Sequence, residues 1–394
     1  MNLLVVSLDS VRLDFVSRTA AMVDTPRFDA ATAGFRFAER CFSVATATRP
    51  VHLSAFSGLY PFEHGIEGQR QGRQREKIPL LFRTLAAAGY AVGAYSEAAT
   101  VFTGMDLGAP LAPLAPEAPG GLEQLLPWIR RPRREPVCLF AHYWEAHTPY
   151  GAADGLALGE TLDLLRAGRQ DVVRQRYIGA VERLLERKVA PLIEACDLER
   201  WCVLVFSDHG ESWDELEPFH GETLRNSVLR VPLYLHAPFS GTAPFPCPVQ
   251  SLVDVYPTLC ALLQVTPAGT TSGRDWGAPE PDPLYVAQIT PTGAAPAGVD
   301  PDLARAPADA AARQWAVFDR HWKYRWTEGS AGVLESTLAG QAEPAAPDDG
   351  RVAGLLEKWR ALRAASPYAQ QPLADAQSID QGLLDQRLRD LGYL

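Results

Sequence analysis

Three stretches of this chain are continuously apolar, and each stops abruptly at polar residues. They are "NLLVVSLDS" at 2–10, "VCLFAHYWEAH" at 137–147 and "VLVFSDHGE" at 203–211. A strand with one face in water alternates apolar and polar residues. An unbroken apolar run instead needs cover on both faces, which suits a central strand of a parallel sheet. Between these runs, "IPLLFRTLAAAGYAVGAYS" reads as helix, glycine C-cap and strand, and "VVRQRYIGAVERLLERKVAPLIEACDL" as a long amphipathic helix. "RVPLYLHAP" reads as a further strand and "SLVDVYPTLCALLQV" as a short helix. This alternation predicts an α/β fold, a three-layer α/β/α sandwich with a mostly parallel central sheet.

The pattern changes twice. Residues 107–135 and about 264–312 are rich in Pro, Ala and Gly and read as long loops. After them "QWAVFDRHWKYRWTEG" alternates, as a solvent-facing antiparallel strand pair would, and "GRVAGLLEKWRALRAA" reads as a helix. The expected organisation is a catalytic α/β domain over 1–279 and a small C-terminal α+β part over 280–394.

With 394 residues, 47% of them hydrophobic, the chain can bury a large core. Its formal net charge of −10 argues against a nucleic-acid partner, whose electrostatic footprint is basic. An anionic substrate would have to be met locally, by a metal or a few cationic groups. "MNLLVVSLDS" has no basic leader region, and no run of 18 apolar residues occurs, so neither a signal peptide nor a membrane anchor is expected. The six cysteines show no CxxC spacing and read as reduced, buried thiols. The expectation is a cytoplasmic protein.

In open parallel sheets, ligands bind beyond the carboxyl ends of the strands. The polar residues there are Asp9 and Ser10, then His142, Glu145 and His147, then Asp208, His209 and Glu211. If the strands are neighbours, Asp9, Asp208 and His209 converge. Two adjacent carboxylates repel unless a proton or a cation lies between them. With an imidazole added, the set suits one divalent metal, and Ca, Mg, Mn and Zn all accept such ligands. Thr48, in "TATRPVHLSAFSG", stands where a helix begins. It either caps that helix or acts as a nucleophile, because metal coordination can activate an otherwise weak hydroxyl.

These segments, in this order, resemble the sulfatase family of the alkaline phosphatase superfamily. "LLVVSLDSVRLDF" resembles the family's first strand with its metal-binding aspartate, and "TRPVHLSAFSGLYPFEHG" its Cys/Ser-x-Pro-x-Arg signature and following helix. "HYWEAHTPY", "VLVFSDHGE", "FHGETLRNSVLRVPLYLHAP" and "DRHWKYRW" resemble the later motifs. The resemblance implies Asp9, Thr48, Asp208 and His209 as metal ligands and Thr48 as nucleophile. It places His147 and His220 where the family holds the anion or protonates the leaving oxygen, and Arg12, His52 and His142 at the substrate.

Three departures matter. Thr48 cannot be converted to the formylglycine of true sulfatases. His52 replaces the signature arginine, and Ser10 replaces a frequent second aspartate. No histidine has an aspartate four residues before it, the pairing of two-zinc members, so one metal site is expected. The expected activity is metal-dependent hydrolysis of a phosphate, phosphonate or sulfate ester through threonine. The alternatives are a soluble phospho-group transferase with the same intermediate, or a non-catalytic binding protein of this fold. The expected partner is a small anionic ester.

Overall fold

A computed structural model of the 394-residue chain describes residues 1–109, 121–151, 158–213, 218–239, 245–279, 283–291, 312–337, 342–345, 349–369 and 371. Its central sheet has six strands: β1 (Asn2–Leu8), β2 (Arg36–Phe37), β4 (Ala91–Ser96), β5 (Val137–Tyr143), β6 (Trp201–Ser207) and β8 (Leu233–His236). Their order is β2-β8-β6-β1-β5-β4. The four strands β6, β1, β5 and β4 run parallel, and β8 and β2 add an antiparallel edge. A three-stranded ribbon of β3 (Cys41–Phe42), β7 (Arg230–Val231) and β9 (Gln250–Ser251) lies beside it.

The unbroken apolar runs occupy the centre. Every residue of β5 and β6 is buried, as are six of the seven in β1. Odd and even positions of β1 feed different layers. Leu3 and Val5 pack with the helix Thr48–Ser57, while Leu4, Val6 and Leu8 pack with the helical stretch from Gln170 to Ala195. Each fully buried Leu or Val contributes about 1.5–3 kcal/mol, so two-sided burial explains why β1 tolerates almost no polar residue before Ser7. The long helix continues through Ala195 with one π turn over Leu185–Val189.

The second sheet has five antiparallel strands in sequence order: β10 (Tyr285–Ile289), β11 (Gln314–Phe318), β12 (Trp322–Thr327), β13 (Gly332–Ser336) and β14 (Ala342–Ala345). The alternation at 314–329 does mark an antiparallel pair, but β11 is not solvent-facing. Four of its five residues are buried, because Trp315, Ala316 and Phe318 enter the main core while Val317 packs under the helix Gly350–Ala365. The segments read as loops also hold regular structure. Leu122–Arg130 is a helix despite Pro127, and β10 lies within 264–312. Residues 110–120, 280–282 and 292–311 of those segments lie outside the described residues.

Candidate active site

The site lies at the carboxyl ends of β1, β5 and β6. Parallel register brings its acids together: Leu8 pairs with Ser207, so Asp9 and Asp208 follow side by side. The Asp208 amide donates to the Leu8 carbonyl (3.2 Å) and the Asp9 amide to the Tyr143 carbonyl (2.9 Å). Ser10 then adopts a left-handed conformation (φ 62°), which only a minority of non-glycine residues adopt. That turn lets the Ser10 amide donate to Asp208 Oδ1 at 3.2 Å and its hydroxyl to Asp9 Oδ1 at 2.9 Å. The conformation is held by the Tyr177 hydroxyl, which donates to the Ser10 carbonyl (2.6 Å) and accepts from the Arg12 amide (2.8 Å).

Thr48 is the first residue of its helix. The flanking position belongs to Ala47, and no side chain caps the helix end. The Thr48 hydroxyl instead donates to Asp9 Oδ2 at 3.1 Å. The capping role is therefore not the one this side chain plays. The helix ends at Gly58, whose φ of 69° suits the glycine C-cap. Asp9 Oδ2 also accepts from His142 Nε2 at 3.2 Å, and His142 Nδ1 accepts from the Ser96 hydroxyl at 2.8 Å.

Asp9, Asp208 and His209 are fully buried, and each offers a ligand atom within 4.8 Å of the others. His209 Nδ1 bonds the Gly210 carbonyl at 3.0 Å. A carbonyl only accepts, so Nδ1 carries the hydrogen and Nε2 presents its lone pair, the arrangement usual for a metal-ligating histidine. Among the described residues Asp208 Oδ2 and His209 Nε2 have no hydrogen-bond partner, and they lie 3.6 Å apart. Buried polar atoms without partners cost roughly 1–3 kcal/mol each. Here the two such atoms lie next to each other, beside the Asp9 carboxylate.

Electrostatics agree. Burial and the neighbouring Asp9 push the Asp208 carboxyl well above its ordinary range. Burial would also raise Asp9, but the His142 hydrogen bond and the charges of His147 and His209 outweigh it and hold it well below that range. Burial lowers His209 to about 3, leaving it neutral and able to coordinate. The donor set, two carboxylates and one neutral imidazole with two unsatisfied atoms, fits a divalent cation. Thr48, bonded to Asp9, stands beside it.

His147 and His220 join this cluster. Their rings lie 4.9 Å apart, and the His220 ring is 4.3 Å from that of His209. His147 stacks on Trp144 at 3.6 Å, and its Nδ1 donates to the Thr148 carbonyl at 2.7 Å. Burial lowers its imidazole to about 3. His220 Nδ1 donates to Glu211 Oε1 at 2.9 Å, while Glu211 Oε2 accepts from the hydroxyls of Thr148 and Tyr150, both at 3.2 Å. Glu211 was visible in "SDHGE" only as a strand-end acid; its pairing with His220 had no local signal. Gly210 has a steric reason to be glycine, since a Cβ there would lie 2.2 Å from the Ser227 carbonyl oxygen.

Two residues expected at the substrate have their polar atoms committed elsewhere. His52 Nδ1 donates to the Thr48 carbonyl and Nε2 accepts from the Ser7 hydroxyl, both at 2.8 Å, and the ring is fully buried. Arg12 bonds Asp14 through Nε and Nη2 and the Glu211 carbonyl through Nη1. It lines a separate cavity of about 1200 Å³, with Arg18, Arg36 and Arg230. His142 meets Asp9 rather than open space. Glu145 turns to Arg183 and Lys188 of the long helix and fixes the loop that carries His147.

No protein-family model matches the chain, and no curated protein matches it. Solved structures do. A phosphonate monoester hydrolase of Agrobacterium radiobacter is 18% identical over 92% of this chain and 95% of its own, with a TM-score of 0.62. That of Silicibacter pomeroyi is 15% identical over 93% and 96%, with a TM-score of 0.61. A 2-O GAG sulfatase is 14% identical over 92% and 91%, with a TM-score of 0.65. The chain therefore has the fold of sulfatases and phosphonate monoester hydrolases. Its mostly parallel central sheet and small antiparallel C-terminal sheet are those expected from the sequence.

Proposed function

We propose that the protein is a metal-dependent hydrolase of phosphate, phosphonate or sulfate esters that uses Thr48 as its nucleophile. The observation that carries this reading is the convergence of Asp9, Thr48, Asp208 and His209, with Asp208 Oδ2 and His209 Nε2 lacking any hydrogen-bond partner among the described residues. The fold shared with phosphonate monoester hydrolases and sulfatases supports it.

Asp9, Asp208, His209 and Thr48 would hold a single divalent cation. Such an ion, when bound, supplies positive charge for the anion's oxygens and makes a hydroxyl more acidic. Thr48 Oγ1 attacks phosphorus or sulfur in line, losing its proton to solvent once such an ion has made it more acidic, while Asp9 Oδ2, 3.1 Å away, orients the oxygen. The oxygen–phosphorus (or oxygen–sulfur) bond to the alcohol breaks on the far side. His220 is the better candidate to protonate that alcohol, because Glu211 bonds its Nδ1 and would stabilise the imidazolium. His147 donates Nδ1 to a carbonyl, so its Nε2 is an acceptor. It is suited to orient the water that hydrolyses the Thr48 ester. His142 and His52 hold Asp9 and the start of the Thr48 helix. A cytoplasmic location fits the reduced, buried cysteines.

The test is a panel of aryl phosphate mono- and diesters, phosphonates and sulfates against the metal-reconstituted protein. Metal-dependent turnover of at least one class is expected. No turnover of any class under any of the four metals would overturn the reading.

A further inference from the structure

Arg49 follows Thr48 in the same helix, and only 4% of it is exposed. Its guanidinium has no carboxylate partner among the described residues. Nη1 donates to the Gln69 carbonyl at 2.9 Å, and Nε is buried without a partner. Burying a cation with no counter-charge costs several kcal/mol. An anionic ligand would offset that cost.

The surroundings are unsatisfied in the same way. Ser43 Oγ, Thr46 Oγ1, Gln69 Nε2 and both side-chain polar atoms of Gln288 are buried with no hydrogen-bond partner among the described residues. The backbone ties these residues together. The Gln288 amide donates to the Val44 carbonyl (2.8 Å), the Thr290 amide to the Glu67 carbonyl (2.8 Å), and Gln69 Oε1 accepts from the Arg49 amide (3.2 Å). The segment before the Thr48 helix, the loop around Gln69 and β10 thus meet, so one region of the backbone carries a cation without a carboxylate partner among the described residues and several buried hydroxyls and amides. Successive helical residues project about 100° apart. Arg49 therefore leaves the helix away from the direction in which Thr48 and His52 face Asp9 and Ser7.

We infer that Arg49, with Gln69, Gln288 and Thr46, forms a subsite for a second anionic group on the substrate, separate from the ester that Thr48 attacks. The class it selects is a bis-anion whose organic part carries a carboxylate or a further phosphate or sulfate. The inference rests on Thr48 as the reacting group.

Calorimetric titration of the metal-loaded full chain with phenylphosphonate and its 3- and 4-carboxy derivatives tests it. At least one carboxy isomer should bind about tenfold or more tightly than the parent, the worth of a charge-assisted hydrogen bond. Arg49→Gln should abolish that gain, Arg49→Lys should keep part of it, and the parent's affinity should stay within about twofold in both. If Arg49→Gln does not fold, Gln288→Leu should reduce the gain in its place. Absence of any gain in the wild type, or an equal loss for parent and carboxy probes in Arg49→Gln, overturns the subsite. An Arg49-dependent gain in a protein that turns over no ester would leave the subsite standing and remove the hydrolase reading. Ester turnover without the gain would do the reverse.

Discussion

The Thr48 hydroxyl donates to Asp9 Oδ2 at 3.1 Å across 39 residues of sequence, and the same carboxylate oxygen accepts from His142. A helix-capping threonine would spend its oxygen on its own helix. This one is turned to a carboxylate at the end of the central strand. Thr48→Ala should therefore cost the helix less than the usual cap loss of about 1 kcal/mol. Turnover should fall by about 10³-fold or more, with metal still bound. Thr48→Ser should keep part of the activity. Mass spectrometry of protein trapped with a slow substrate should place a phosphoryl or sulfo group on residue 48. An active Thr48→Ala enzyme would sink the mechanism.

Asp9 and Asp208 destabilise one another without a cation. Asp208→Asn should raise the melting temperature of the metal-free protein, because burial beside Asp9 disfavours the ionised Asp208 carboxyl and an amide carries no such cost. It should also erase the stabilisation by added metal, which for the wild type reaches about 4 kcal/mol at a thousandfold excess over Kd. Thermal melts with and without chelator, alongside elemental analysis, read both effects. Unchanged metal content in Asp208→Asn would remove the metal assignment.

His220 and Glu211 should act as a pair. His220→Ala should slow alkyl or phenyl esters by about 10²-fold or more, but 4-nitrophenyl esters far less, since only a poor leaving group needs its proton. Glu211→Gln should shift the same ratio in the same direction by a smaller amount. An equal loss on both ester types would leave the pair a binding role.

His64 gives a pH prediction independent of catalysis. It is fully buried, donates Nε2 to the Ser54 hydroxyl (2.8 Å) and accepts from the Ile66 amide at Nδ1 (3.2 Å). Burial lowers it to about 3 from 6.5. Between those values the unfolded chain binds a proton that the folded chain does not, so stability falls as pH drops from about 6.5 towards 3. This one group contributes a slope of about 1.4 kcal/mol per pH unit. Denaturant unfolding of His64→Gln should show a slope smaller by about that amount. An unchanged slope would mean that His64 is protonated in the fold.

The strands that build the site were legible because an unbroken apolar run is a local property, visible without knowing what covers it. The same holds for the Asp9 and Asp208 positions, which simply end such runs, and for Gly58 after its helix. β10 was missed because five residues between long Pro- and Ala-rich stretches carry too little periodicity to stand out. The burial of β11 was missed because alternation reports two different faces without saying that both are covered.

By itself, the sequence determined the α/β class, the strands of the central sheet and the residues at their carboxyl ends, because backbone periodicity and two-sided burial are written into neighbouring residues. Only the tertiary structure decided which of those residues meet. Parallel register set Asp9 beside Asp208, and chain closure turned Thr48 to Asp9, committed His52 and Arg12 to internal partners, and left Arg49 buried with no counter-charge among the described residues. A hydrogen bond between side chains distant in sequence depends on where the folded backbone carries both, and no local pattern encodes that distance.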